Sequence, residues 1–346
     1  MLSPLKNQNT TKSSYYSDRI SMYHLSWFAF FLFLVCFMSG LIWQSHRQAH
    51  GKSPTDQNYT IPHHINDKGI FNDLDAKVKY HLPSWLSGDD LQIAQQTIKQ
   101  QQVAILYYHH YAIAYFTLSD GALKPEDQQI LKKYAPHLNV QHIPSVKKLK
   151  KAKRKFMRDQ DRDGIANGLD LLVGTHKVRI NAAEYRQGYE RMKYPNGDVK
   201  RDHGVCTDVI VRAYRNAGWD LQKILYRDML KRPRAYGLKK GKKPNRHIEH
   251  RRVRRLIVYF KRYYKSLPIE FSHSQQGKEA WLPGDLVFMD TFGVGYPTHV
   301  GLVSDRLGKD GEPLIVNNWT DGYVTSEMSL RSVADYTHRF RITLRK

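Results

Sequence analysis

The longest uninterrupted apolar stretch of the chain, Leu25 to Trp43, carries no charged residue. A helix of about 20 apolar residues spans a bilayer. Trp27 and Trp43 sit near its ends, where amphipathic rings favour the interface. Lys6, Lys12 and Arg19 precede it against the single acid Asp18. That bias predicts a cytoplasmic N-terminus over residues 1–24, one membrane anchor over 25–43, and an exported remainder. No convincing small-x-small cleavage site follows, so the segment reads as an uncleaved anchor. Residues 44–65 are polar, with Pro and His, and read as a linker. Residues 66–141 then show short periodic runs. Asp89 to Gln101 predicts a polar helix. Val103–Tyr108 and Ala112–Leu118 predict two strands around His109-His110, and Pro125–Tyr134 predicts a second helix. Together they predict a small membrane-proximal α+β module that buries its own core.

The apolar pattern stops at residues 142–173. Lys147, Lys148, Lys150, Lys151, Lys153, Arg154 and Lys155 form a basic tract suited to an anionic surface. Directly after it, Asp159, Asp161, Asp163, Ile165, Asn167 and Asp170 occupy positions 1, 3, 5, 7, 9 and 12 of a D-x-D-x-D-G-x5-D loop. Calcium takes six to eight oxygens, and such spacing supplies carboxylates, an amide and the Ile165 carbonyl, with Gly164 at the sharp turn. Position 12 is Asp where the usual residue is Glu, which resembles dockerin and thrombospondin-type loops. The expected cofactor is calcium in a structural role, ahead of a helix starting near Asn167.

From 174 to 346 the pattern becomes that of a second α+β domain. Val209, Ile210, Ala213, Tyr214 and Ala217 form a helical stripe that ends at Gly218. Cys206 falls on that stripe, in the first turn. Unpaired amides and the helix dipole favour thiolate there, so the expectation is a cysteine pKa lowered into the range of roughly 3.5–7.5. The other cysteine, Cys36, lies in the apolar span, so Cys206 has no expected disulfide partner. Leu286–Asp290, Thr298–Asp305 and Pro313–Trp319 read as strands. Antiparallel pairing of the last two brings the start of one, His299, beside the end of the other, Asn317 or Asn318. Cys, His and Asn in that order are the parts of a papain-like site: nucleophile, base and orienting residue.

The strings GVCTDVIVRAYR, HIEHRRV, WLPGDLVFMD, THVGLVSDR and GEPLIVNNW resemble the DUF1287 family, over roughly Gly174 to Lys346. That family is related to the NlpC/P60 cysteine peptidases and amidases of cell-wall metabolism. The resemblance implies a papain-like fold with an antiparallel sheet and an N-terminal nucleophile helix, with Cys206 as nucleophile and His299 as base. Where the family reads His-Asn-Ile-Gly, this chain has Asn317-Asn318-Trp319-Thr320, so Asn317 takes the third position with Asn318 as the alternative. Asp208, His250, Arg251 and Asn318 are the candidate substrate-binding residues. Asp208 also suits the helix dipole with no ligand at all. The segment from Trp219 to Glu279 is expected as an insertion over the cleft.

A formal net charge of +23, from 55 Lys and Arg against 32 Asp and Glu, often marks a nucleic-acid partner. An outward-facing anchor argues against that. Peptidoglycan, the inner membrane and an envelope-spanning complex satisfy the same electrostatics. The expectation is therefore a membrane-anchored cysteine hydrolase acting on a peptidoglycan stem peptide or cross-link, with a non-catalytic wall-binding module as the alternative.

Overall fold

A computed structural model describes residues 91–98, 100–109, 111–148, 158–272 and 279–345. The expected anchor, both flanking segments and most of the basic tract lie outside these residues. Among the described residues no helix is long and apolar enough to cross a membrane.

Helices and strands are mixed, with five α-helices and three sheets among the described residues. The first sheet is a meander of β1 (Leu91–Ile98), β2 (Gln101–Tyr108), β3 (Tyr111–Ser119) and β4 (Ala122–Leu123), all neighbours antiparallel. Helix α1 (Pro125–Tyr134) follows, with Pro125 in its first turn, where a missing N–H costs nothing.

The expected polar helix over Asp89–Gln101 is instead β1. Its residues pair one-for-one with β2, from Leu91 opposite Tyr108 to Ile98 opposite Gln101. The run offers two apolar faces at strand spacing: Leu91 and Ile93 enter one core, Ala94 and Ile98 another. Hairpin pairing and burial on both faces outweigh the weak helical preference of its glutamines.

Helix α2 (Asn167–Asn181) crosses from this sheet to the second half of the chain. The two-stranded pair β5 (Glu184–Tyr185) and β6 (His203–Gly204) leads into α3 (Cys206–Asn216), then α4 (Leu221–Lys231) and α5 (Val253–Tyr263). The largest sheet holds β7 (Tyr264–Leu267), β8 (Leu286–Asp290), β9 (His299–Leu307), β10 (Pro313–Asn317), β11 (Ser326–Met328) and β12 (Asp335–Arg345). Its order is β11-β10-β9-β8-β12-β7, antiparallel throughout.

Side-chain alternation divides β8 between two cores. Leu286 and Phe288 face the helices, packing with Val209, Ile210 and Tyr214 of α3 and with Leu256 and Phe260 of α5. Val287 and Met289 face the four-stranded sheet, packing with Leu106, Ile113 and Phe116. The third core sets the outer face of that small sheet against Leu169, Leu172 and Val173 of α2. The small sheet therefore buries one face on the large one and shares its core. Its continuous apolar strands already imply two covered faces, because a strand with one wet face alternates.

The part of the 219–279 segment that forms α5 is not a cover. Phe260 lies edge-on to Tyr214, and Leu256 and Phe260 are fully buried, so α5 is part of the core that supports α3. Gly174 sets the spacing of the other supporting helix: a Cβ there would stand 2.6 Å from the Ala213 carbonyl oxygen. Glycine is what lets α2 and α3 touch backbone to backbone.

Candidate active site

Cys206 opens α3 after the extended residue Val205. Asp208 Oδ2 accepts from the Val205 amide at 2.8 Å, which ties the first turn to the strand before it. Gly218, in the left-handed region at φ 78°, ends the helix. Burial of Val209, Ile210, Ala213 and Tyr214 points the same face inward, and Cys206 shares it at 7% exposure.

Backbone amides of Val300, Thr207 and Cys206 itself point at the thiol. Val300 follows His299 in β9, so the nucleophile-bearing turn lies against the start of that strand. His299 Nε2 and Asn317 Oδ1 are 3.1 Å apart, both buried. Asn317 Nδ2 donates to the Ile315 carbonyl at 3.0 Å, which fixes Oδ1 toward the imidazole. Oδ1 can only accept, so Nε2 carries the proton and Nδ1 keeps its lone pair. Trp319 stands edge-on to the imidazole, ring centroids 5.0 Å apart. It shields the His299–Asn317 bond from one side.

Residues 174–342 match the DUF1287 family, a domain of unknown function. Over 137 residues the chain is 39% identical to the uncharacterized protein YijF of Escherichia coli K12. That stretch is 39% of this chain and 62% of YijF, so the chain spans a little under two thirds of the relative's length.

Within the DUF1287 segment, the thiol departs from its expected state. Burial, the largest cause, pushes Cys206 up to about 12, and Asp208 adds to the rise, against the pull of the three amides. Desolvation of a nearly covered sulfur outweighs helix-terminus stabilisation, so the resting group is a thiol. His299 is pushed the other way, down to about 4, chiefly by burial, and is a neutral base at rest.

The expected substrate residues Asp208, His250, Arg251 and Asn318 are all buried. The two oxygens of Asp208 accept from Arg251 Nε at 2.8 Å and Nη2 at 2.9 Å, and the pair is buried. Arg251 Nη1 also donates to the Gly188 carbonyl. The two charges are matched to each other inside the protein, so neither needs a ligand to balance it. His250 is buried beside it and likewise pushed down to about 4, mainly by burial. Asn318 is fully buried and donates through Nδ2 to the Ala183 and Gly204 carbonyls, which laces β10 to the pair β5–β6. Asn317 is therefore the residue brought to His299.

Two neighbours were not foreseen. Tyr185 is half-buried, and its phenol is raised first by burial and then by Cys206. Gln187 Nε2 donates to its hydroxyl at 3.0 Å. The segment around Tyr185 has no periodicity to reveal it. Trp319 did carry a signal: it lies two residues past Asn317, on the same face of an extended chain. The loop leading into His299 exposes Phe292, Val294 and Tyr296, an apolar rim next to the base.

The two depressed histidines set an acid limit on stability. A group whose folded pKa lies below its unfolded value stabilises the fold above that unfolded value and loses the contribution as pH falls. For His299 and His250 the window runs from 6.5 down to about 4. Each is expected to remove on the order of 3 kcal/mol across it. Urea unfolding at stepped pH checks this. The His299→Gln variant should lose its share of the slope, and an unchanged slope would contradict the assignment.

The acidic loop precedes the DUF1287 segment. Asp159, Asp161 and Asp163 each bring a carboxylate oxygen within 4.8 Å of the others. Asp170 is buried in the first turn of α2 and is raised to about 8, first by burial and then by Asp163, Asp161 and Asp159. Ile165 buries its side chain, leaving its carbonyl as the group the loop would offer. Asn167, the expected ligand at position 9, has its Oδ1 accepting from the Gln160 amide at 2.7 Å, which braces the loop.

Proposed function

We propose that this chain is a cysteine hydrolase that cleaves an amide bond in a peptidoglycan stem peptide or cross-link. The observation that carries the reading is the His299–Asn317 bond at the amide-ringed Cys206 thiol. In this mechanism the sulfur attacks the amide carbon while its proton passes to His299 Nδ1. Asn317 holds the imidazole in the tautomer that can accept that proton. Charge developing on the carbonyl oxygen is met by backbone N–H groups of the α3 first turn. Collapse expels the amine, which takes the proton from His299, and water then hydrolyses the thioester. The raised thiol pKa fits a step in which proton transfer accompanies attack, with no thiolate waiting at rest.

The papain-like arrangement and the wall substrate come from the resemblance to NlpC/P60 enzymes. The fold supports it with a nucleophile helix packed on an antiparallel sheet, His299 at one strand's start and Asn317 at its neighbour's end. The apolar segment 25–43 anchors the chain in the inner membrane in this reading, with the N-terminus cytoplasmic and the site outside. The charge of +23 then favours anionic wall polymer and lipid headgroups, and docking to an envelope-spanning complex.

Purified full-length protein incubated with wall sacculi tests this, with released fragments read by mass spectrometry. The expected result is new peptide ends, absent with His299→Ala. Sedimentation on sacculi with no fragments released by the unaltered protein would favour the binding-module alternative and sink the hydrolase reading.

A further inference from the structure

The acidic loop at residues 159–170 holds more negative charge than its own hydrogen bonds account for. Part of its geometry is self-contained. Asp159 Oδ1 accepts from the Arg162 amide at 2.6 Å and Oδ2 from the Gly164 amide at 2.8 Å. Asp163 Oδ1 accepts from the Ile165 amide at 2.9 Å. These bonds shape the turn around Gly164, at φ 90°, and leave the carboxylates clustered.

Asp170 supplies a separate observation. It is 2% exposed, and its Oδ2 makes no hydrogen bond. The acids acting on it are Asp163, Asp161 and Asp159, with Lys177 the opposing cation. Lys177 is itself engaged with Asn216 Oδ1 at 2.8 Å. A buried carboxylate oxygen without a donor is costly unless a cation or proton meets it. Its place, eleven residues after Asp159 in the first turn of α2, is where a loop of this spacing puts its last ligand.

We propose that Asp159, Asp161, Asp163 and Asp170, with the Ile165 carbonyl, hold one calcium ion. The donors are all hard oxygens, and calcium tolerates an irregular shell where magnesium demands a tight octahedron. The loop is also wedged between three parts of the fold. Gln96 of β1 donates to the Gly164 carbonyl at 2.6 Å. Asn216, the last residue of α3, donates to the Asp170 carbonyl at 2.8 Å. A Cβ on Gly218 would stand 2.9 Å from Asp161 Cβ, so the chain leaving α3 lies directly on a ligand. The ion would thus fix the far end of the helix that carries Cys206. This site stands independently of any hydrolase activity.

The test uses full-length protein stripped with a chelator and titrated with calcium chloride alone, by calorimetry and by thermal unfolding. One ion per chain and a rise in the unfolding midpoint are expected. Asp161→Asn is the variant of choice, because Asp159 and Asp163 also hold loop amides. It should lower calcium affinity by at least roughly tenfold while the calcium-free protein unfolds near its usual midpoint. Should Asp161→Asn fail to fold, Asp170→Asn serves, with the same loss expected. Amide exchange at Asn216 to Gly218 should slow when calcium is added. No calcium-dependent rise in midpoint, or an equal rise in the variant, would overturn the site. A larger rise with magnesium at equal concentration would overturn the assignment to calcium.

Discussion

Replacing Cys206 by Ala is expected to lower the rate of peptide release from wall sacculi by at least about 10³-fold. In the proposed mechanism the sulfur is the atom that forms the new bond, so its removal takes away the nucleophile. His299 and Asn317 would still be paired, and the first-turn amides would still face the cleft. What remains is binding and charge stabilisation without a nucleophile. The fold should persist, because the loss is one small sulfur-bearing group at the edge of a large core. Side-by-side rates with matched unfolding midpoints check both halves. A variant with the rate of the unaltered protein would remove Cys206 from the chemistry. The same site predicts slow alkylation. With the thiol pushed up to about 12, little thiolate exists at neutral pH, so iodoacetamide should modify Cys206 more slowly than a free cysteine. Rapid labelling would mean that the site opens readily or that His299 draws off the proton at rest.

The difference between the thiol state expected from the helix terminus and the one its burial imposes shows where sequence reading loses force. Helical spacing put Cys206 on the inward stripe of α3, and that geometry is what the fold has. The same spacing suggested a depressed pKa from the helix terminus alone. The competing quantity is desolvation, which depends on residues that helical spacing does not reveal: Phe288 and Val300 lie 82 and 94 positions further on, and Tyr185 lies in an aperiodic segment. Strands β8, β9 and β10 were legible because each is a short apolar run bounded by turn residues. The His299–Asn317 meeting then followed from antiparallel pairing alone. The substrate residues were not legible in the same way. Asp208 reads as a helix-dipole acid or a substrate anchor, and nothing nearby in sequence reveals that Arg251 comes back to claim both its oxygens. Strand β1 was misread for a related reason. Its glutamines suit a helix, and only the pairing with β2 decides otherwise.

Changing Asp208 to Ala is expected to destabilise the fold by about 3–5 kcal/mol, among the largest losses a single substitution gives. Two effects act together. The Arg251 guanidinium, buried with its partner, is left with an uncompensated charge in a place water cannot reach. The Val205 amide loses its acceptor at the start of α3, worth about 1 kcal/mol within that total. Arg251→Met alone strands the carboxylate instead, although Asp208 can then take up a proton, so its cost should be smaller. The double variant is decisive. If the two side chains acted independently, Asp208 through the Val205 amide and Arg251 through the Gly188 carbonyl, the two losses would add. If stranding a buried charge is the main cost, Asp208→Ala with Arg251→Met should recover much of the loss, because apolar replacement of a buried pair is often close to neutral. A urea double-mutant cycle measures the coupling. Strict additivity would sink the charge-stranding account. Whatever its share of the stability, the pair adjoins the Cys206 turn through the Val205 amide, and loss of wall cleavage in a still-folded double variant would locate a role for it in the alignment of the thiol.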